Sequence, residues 1–303
     1  MTGPGFESPE GLRRAVTDRL RALASREPGT QLSDLLRQFA YDRLLCRLFT
    51  GSERGRWVLK GATALLARLG PTARHTVDVD LFDEAGSLDD AEQALRVAAT
   101  LDLGDFFRFT LSPGRPASQG GIARRVSVTA YLGATRFAEF HVDLVAGLRM
   151  TGIPDEVDPL IPLELPGIVR VTYRAYPVED HVADKLCALL EVHARSVGPP
   201  QPSTRYRDLA DLATLARTVT MNAERLAVAL RSEASRRGLA LPNRMTAPTG
   251  SSWPSGYTRV ARGLPAVVDR TVDAAANTVA RLLDPVLAGK ARGAWDPHAL
   301  QWG

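Results

Sequence analysis

Thr76-Val77-Asp78-Val79-Asp80-Leu81 is the natural place to begin reading the chain. A β-strand has a side-chain period of two, so Asp78 and Asp80 point to one face and Val77, Val79 and Leu81 to the other. Two carboxylates side by side repel unless a cation lies between them. Magnesium suits such a pair, because it takes oxygen from one or two carboxylates and completes its shell with phosphate. The strand therefore suits a metal-bound nucleoside triphosphate. An isolated Asp-x-Asp is weak evidence, since the pattern also occurs in solvated loops and in glycosyltransferases that bind nucleotide sugars.

Two other stretches strengthen the reading. In Phe140-His141-Val142-Asp143-Leu144 the alternation puts Asp143 opposite its apolar neighbours. A third carboxylate on a sheet completes a two-metal arrangement, in which one ion clamps the triphosphate and the other activates the attacking hydroxyl. Read alone, Asp143 is an exposed residue on an edge strand. In Leu59-Lys60-Gly61-Ala62-Thr63-Ala64-Leu65 a turn of small residues opens a helix. Such a turn offers free N–H groups to an anion, and Lys60 and Thr63 add a charge and a hydroxyl. Read alone, it is a plain strand-to-helix turn.

Around these motifs the hydrophobic periodicity predicts helices at about 8–25 and 31–49, the second closed by Gly51. A short strand at 56–59, a helix at 62–69 and a strand at 75–82 follow. A helix at 87–101, a strand at 105–111 and a hairpin of 125–131 and 136–145 about Gly133 complete the first part. This order predicts an α+β lobe with a mixed sheet. Past Pro166 the pattern becomes helical. A brief strand at 169–171 precedes helices at 178–195, 205–218 and 222–237. The stretch 242–257, rich in Pro, Ser, Thr and Gly, reads as a loop, and a last helix covers 264–284. The expected organisation is an N-terminal lobe over 1–165 and a helical C-terminal lobe over 166–303.

The 303 residues suffice for two such lobes. No apolar run approaches the roughly 18 residues of a membrane span. The start, MTGPGFESPEGLRRAV, lacks an apolar segment behind basic residues, so no secretory signal and a cytoplasmic location are expected. Cys46 and Cys187 read as buried thiols, and no Cys/His group has zinc spacing. Net charge is +4, and Lys60, Lys185 and Lys290 are the only lysines among 38 basic residues. Arginine suits phosphate through its planar fork, but this net charge alone indicates no nucleic-acid partner.

The order Lys60-Gly61-Ala62-Thr63-Ala64-Leu65, then Arg74-x-Thr76-x-Asp78-Val79-Asp80, then the strand Asp143, resembles the AbiEii/AbiGii-type nucleotidyltransferase toxins. That family includes the MenT-type toxins and belongs to the polymerase-β-like superfamily. Two later segments continue the resemblance: Val182-Ala183-Asp184-Lys185-Leu186 and Arg205-Tyr206-Arg207-Asp208-Leu209-Ala210-Asp211-Leu212. A weaker echo reaches Trp253, Tyr257 and Trp295. Ala62 and Thr76 depart from the family's more usual Gly and Ser. The resemblance implies a polymerase-β-like fold, with Asp78, Asp80 and Asp143 binding Mg2+ or Mn2+. It implies an NTP held near Lys60, Gly61, Thr63, Thr76, Lys185 and Asp208.

Helical geometry bears on two of these residues independently. Asp208 stacks on Leu212 and Leu215 inside an apolar stripe, where a carboxylate needs a cationic partner. Lys185 lies at the edge of the stripe of Val182, Leu186 and Leu189. Both therefore read either as nucleotide-binding groups or as a structural ion pair, with Asp211 further toward the rim. His75, His141 and His181 flank motifs and receive no role.

The implied activity is addition of nucleotides to the 3′ end of tRNA, releasing pyrophosphate and blocking translation. A separately encoded antitoxin is the implied partner. Arg259, Arg262, Arg270, Arg281, Lys290 and Arg292, with Arg124, Arg125 and Arg136, are candidate contacts for an RNA backbone or simply a solvated face. Phosphorylation of Thr76 would bring negative charge beside the carboxylates and disable the site. A small-molecule nucleotidyltransferase, an Asp-x-Asp glycosyltransferase and a non-catalytic relative are the alternatives.

Overall fold

The computed structural model describes residues 5–26, 29–117, 123–193, 201–264 and 268–303. The chain divides into two compact units. Unit 1 comprises Met1–Arg149 and Pro154–Ala175, and unit 2 comprises Met150–Ile153 and Tyr176–Gly303.

Unit 1 opens with α1 (Pro9–Arg26) and α2 (Leu32–Leu48). Leu12, Val16 and Leu20 recur once per turn on α1 and are fully buried, whereas α2 is buried on almost every side. The sheet contains β1 (Trp57–Leu59), β2 (Asp78–Asp83), β3 (Phe107–Leu111), β4 (Arg115–Pro116), β5 (Ala123–Leu132), β6 (Thr135–Ala146), β7 (Asp155–Val157) and β8 (Tyr173–Ala175). Its order is β3-β5-β6-β2-β1-β8-β7, with β4 pairing with β5. β2 runs parallel to β6 and β1 parallel to β8, and the other pairings are antiparallel, so the sheet is mixed as expected. Helix α3 (Gly61–Leu69) joins β1 toward β2, and α4 (Leu88–Ala99) joins β2 toward β3. Ser87 and Asp90 cap α4 reciprocally, each side chain meeting the other's backbone N–H.

The alternation of β5 and β6 separates the two sheet faces. Val126, Val128 and Ala130, with Phe140, Val142 and Leu144, are buried. On that side the Tyr41 ring of α2 lies 4.7 Å from the Phe140 ring, and Phe39 lies 6.0 Å from Phe107. The opposite face of β2, β5 and β6 carries Asp78, Asp80, Arg125, Ser127, His141 and Asp143, all partly or fully exposed.

Polar contacts fix the helices onto this framework. Asp105 is fully buried and accepts from Arg47 through two nitrogens, at 2.7 and 3.0 Å, with Arg43 at 3.7 Å. Asp42, also buried, accepts from the backbone N–H of Leu160 and Ile161, each at 2.9 Å, and from the Tyr173 hydroxyl at 2.8 Å. Burial pushes the Asp42 carboxyl up from its ordinary range.

Unit 2 is mostly helical: α5 (Val178–Leu190), α6 (Tyr206–Thr218), α7 (Ala223–Arg237), α8 (Trp253–Arg262) and α9 (Val272–Leu287). α5 packs on α6 and α7, and α6 packs on α8 and α9. Asp180 in the first turn of α5 binds the separate segment 150–153, through Thr151 N and Oγ1 and through Gly152 N. Trp253, Tyr257 and Trp295 are buried and donate to the carbonyls of Ser203, Asp269 and Ala216. Among the described residues no helix is long and apolar enough to cross a membrane.

Several boundaries differ from the sequence reading. The strand expected at 169–171 lies at Tyr173–Ala175, and β7 has too few residues to show a period. The helix expected to 195 ends at Leu190, before a short strand at Val192–His193, and residues 194–195 fall outside the described residues. The supposed loop 242–257 contains the start of α8. Pro254 sits in its first turn, where a helix needs no proline N–H. The last helix starts at Val272 behind a Thr271 cap rather than at 264, residues 265–267 of the expected span fall outside the described residues, and Val268 is 68% exposed.

Asp105→Ala leaves two buried guanidiniums without their carboxylate. Losing one partner of a buried ion pair costs about 3–5 kcal/mol, and urea unfolding is expected to show a loss of that order.

Candidate active site

The parallel register of β2 and β6 pairs Asp80 with Asp143 and Asp78 with His141. The antiparallel register of β6 and β5 pairs Asp143 with Arg125 and His141 with Ser127. Two rows thus cross the open face: Arg125–Asp143–Asp80 and Ser127–His141–Asp78. The three aspartates singled out in the sequence are brought together by strand pairing alone, since residues in register on neighbouring strands share a face.

Each carboxylate already has a counterpart. Arg125 holds Asp143 with both prongs of its fork, Nε to Oδ1 at 2.7 Å and one terminal nitrogen to Oδ2 at 2.6 Å. The same terminal nitrogen reaches Asp78 Oδ2 at 3.3 Å. His141 Nδ1 lies 3.3 Å from Asp78 Oδ1. The hydrogen bond with Asp143, then the charges of Asp143, Asp78 and Asp80, raise the Arg125 pKa further above its already high ordinary value. The sequence reading took Arg125 only as a candidate RNA contact and gave His141 no role. The β5–β6 register brings Arg125 to Asp143, and the β2–β6 register brings His141 to Asp78.

Asp80 meets the start of α3. The backbone N–H of Ala62 donates to Asp80 Oδ2 at 3.1 Å. The expected anion-binding helix terminus is therefore occupied by the chain's own carboxylate, where N–H groups and helix dipole favour negative charge. Gly61 makes the approach possible. Its φ is +54°, and a Cβ placed there would fall onto the Asp80 carboxylate, 2.5 Å from Cγ. Lys60 precedes α3, and its N–H donates to Asp80 O at 2.9 Å.

The two threonines act on the backbone of β2. Thr63, expected beside phosphate, is fully buried. It donates to Asp78 O and accepts from Asp80 N, both at 3.1 Å. Thr76 Oγ1 also donates to Asp78 O, at 3.0 Å. Both hydroxyls therefore set the strand that carries the carboxylates. Beside Asp78 a cleft of about 570 Å3 is lined by Arg37, Val77, Ser127, Glu139 and His141.

Lys185 and Asp208 come together in unit 2. Lys185 Nζ lies 3.0 Å from Asp208 Oδ1 and 2.6 Å from Asp211 Oδ2. Lys185 and Asp211 are buried, at 5% and 4% exposure, so Asp211 is not at the rim as its helical position suggested. Helix α6 turns it toward α5 rather than outward, something a single-helix projection cannot show.

Metal binding can be tested against these residues. Among the described residues, no three His, Cys, Asp or Glu side chains stand close enough together to hold one ion as placed. The Arg125 fork turns Asp143 and Asp78 toward itself. In donor type and strand register, however, the residues fit magnesium: all oxygen, two from one strand and one in register beside them.

A mixed α+β fold carrying strand carboxylates in register is the arrangement expected of a nucleotidyltransferase, and a family match makes that the class of this chain. Residues 43–278 match the family described as nucleotidyl transferase AbiEii toxin, type IV toxin–antitoxin system, and the chain belongs to that family. No protein of curated function matches the chain. Among solved structures, MenT4, the nucleotidyltransferase toxin Rv2826c of Mycobacterium tuberculosis H37Rv, is similar over 91% of this chain and 99% of its own, at 16% identity and a TM-score of 0.50. JHP933 of Helicobacter pylori is similar over 85% of this chain and 94% of its own, at 19% identity and a TM-score of 0.45.

Gly61→Ala is expected to push Asp80 aside. A misplacement on the order of 1 Å can lower turnover about 100-fold, and nucleotidyl transfer measured beside a circular-dichroism melt separates this from unfolding. Lys185→Met removes the cation that Asp208 and the buried Asp211 share and is expected to lower the stability of unit 2 by about 3–5 kcal/mol, visible in thermal melts without nucleotide.

Proposed function

We propose that this toxin-family nucleotidyltransferase transfers nucleotides from an NTP to the 3′ end of tRNA in the cytoplasm, using magnesium at Asp78, Asp80 and Asp143. The observation that carries the proposal is the row of strand carboxylates backed by the N-terminus of α3. Bound there, magnesium would neutralise the triphosphate and activate the acceptor hydroxyl.

The chain's own residues supply positioning. Thr63 and Thr76 hold the backbone of β2, so Asp78 and Asp80 present their carboxylates from a fixed strand. The Ala62 N–H fixes one oxygen of Asp80. Lys60 stands at the same turn and is assigned to the phosphates with Gly61. Lys185 and Asp208 are kept as nucleotide-binding groups on the resemblance. No residue acts as a covalent nucleophile. Rate enhancement comes from orientation and charge neutralisation.

The surface supports an RNA acceptor in one region rather than the two expected. Near the hairpin, Arg124 pairs with Asp89 and Glu92, Arg125 with Asp143, and Arg136 with Glu139. In unit 2, Arg259, Arg262, Arg270, Arg281, Lys290 and Arg292 are exposed and form no ion pair among the described residues, Arg270 and Arg292 donating to backbone carbonyls. These six are cations available to a phosphate backbone. A separately encoded antitoxin would restrain the activity, as the family description implies.

Incubating the protein with total tRNA, magnesium and each labelled NTP tests the proposal, with Asp80→Ala in parallel. Label in tRNA with wild type and none with Asp80→Ala is expected. Absence of label with every NTP removes the tRNA acceptor and leaves small-molecule or protein acceptors.

A further inference from the structure

Arg125 sits where a cation is needed. It lies in register opposite Asp143, grips that carboxylate through two hydrogen bonds of 2.7 and 2.6 Å, and reaches Asp78 at 3.3 Å. One guanidinium thus joins two carboxylates from different strands, both taken above as metal ligands. Its side chain is 45% exposed, while those of Asp143 and Asp78 are 20% and 24% exposed. The carboxylates are held by a sheet and the arginine by a flexible stem at its surface. The arginine is therefore the group that can leave.

We propose that Arg125 is the resident counter-cation of the carboxylate site, displaced when metal and nucleotide arrive together and then transferred to the triphosphate. This rests on the assignment of Asp78, Asp80 and Asp143 as metal ligands. Without nucleotide the aspartates are neutralised internally, which relieves their mutual repulsion. A divalent ion arriving alone must displace a bidentate ion pair and leave a guanidinium beside it, and both effects oppose binding. A triphosphate changes the balance, because its oxygens accept the same planar fork of donors that the Asp143 carboxylate did. Metal and nucleotide then favour each other's binding through one side chain, and by linkage the effect is equal in both directions. Arg125 is thus a positioning residue for the metal and a binding residue for the phosphates. The same exchange disfavours idle metal loading in a protein whose activity is harmful to its cell.

The test is Mn2+ binding, read from the electron paramagnetic resonance signal of free Mn2+, for wild type, Arg125→Gln and Arg125→Lys. Each is titrated with and without an α,β-methylene nucleoside triphosphate, which cannot transfer its nucleotide. Without nucleotide, Arg125→Gln is expected to bind Mn2+ about 10-fold tighter than wild type or more, about 1.4 kcal/mol per decade. Arg125→Lys, which keeps the charge but not the fork, falls between. The analogue should tighten Mn2+ binding strongly in wild type and weakly in Arg125→Gln. A merely structural arginine would produce no gain in affinity. Equal or weaker Mn2+ binding in Arg125→Gln overturns the proposal. Asp80→Asn distinguishes the two levels. If it abolishes Mn2+ binding while Arg125→Gln changes nothing, the metal assignment stands and only the role of Arg125 falls. If it leaves Mn2+ binding intact, both fall.

Discussion

Three carboxylates on one face of a sheet repel each other, and the arrangement of unit 1 around them follows from that repulsion. Asp80 is matched by the positive end of α3, Asp143 by the fork of Arg125, and Asp78 by Arg125 and His141. None of these counterparts lies next to its aspartate in the sequence. Each requires a long-range pairing: β1 against β2 to deliver α3, and β6 against both β2 and β5 to deliver His141, Asp143 and Arg125. The cost of gathering the charges is thus offset only in the complete sheet. A misregistered hairpin would turn Arg125 to the buried face and leave the aspartates opposed.

The buried face meets the same problem with different chemistry. α2 carries Asp42, Arg43 and Arg47 at positions with almost no exposure. A helix so polar can be internal only because each charge finds a fixed partner: Asp42 two backbone N–H groups and a tyrosine hydroxyl, the arginines Asp105. These partners fix how α2 lies on the sheet, beyond what the apolar contacts of Phe39 and Tyr41 determine.

Periodicity was a good guide wherever an element was long and one-sided. The alternation in Asp78–Leu81 and in Phe140–Leu144 set each strand's aspartates opposite buried residues, and the structure pairs the two strands in register, while Val77, expected on the buried face, is 61% exposed ahead of the strand. It failed for β7 and β8, three residues each, and for α8, whose Pro254 and Ser255 resemble a loop unless proline's tolerance in a first turn is considered. Thr63 and Thr76 were identified by type, but both are buried and their hydroxyls turn to the backbone of β2. Arg125 was illegible as a site residue, since its place there arises from register between strands, and His141, on the face of Asp143 by alternation, was left without a role. Asp211 was misplaced because its partner, Lys185, is on another helix.

Unit 1 is interrupted in sequence. Its sheet ends with β8, beyond the four-residue stretch 150–153 that Asp180 of α5 captures for unit 2. Leu160, Ile161 and Tyr173, which satisfy the buried Asp42, also follow that interruption. On a translating ribosome, therefore, β2, β5 and β6, and Asp105 that pairs with Arg43 and Arg47, are made before the groups that satisfy Asp42. The carboxylate face can pair early, whereas Asp42 lacks its full set of donors until residue 173 has emerged. A nascent chain stalled short of that point carries the strand carboxylates without a finished core behind them.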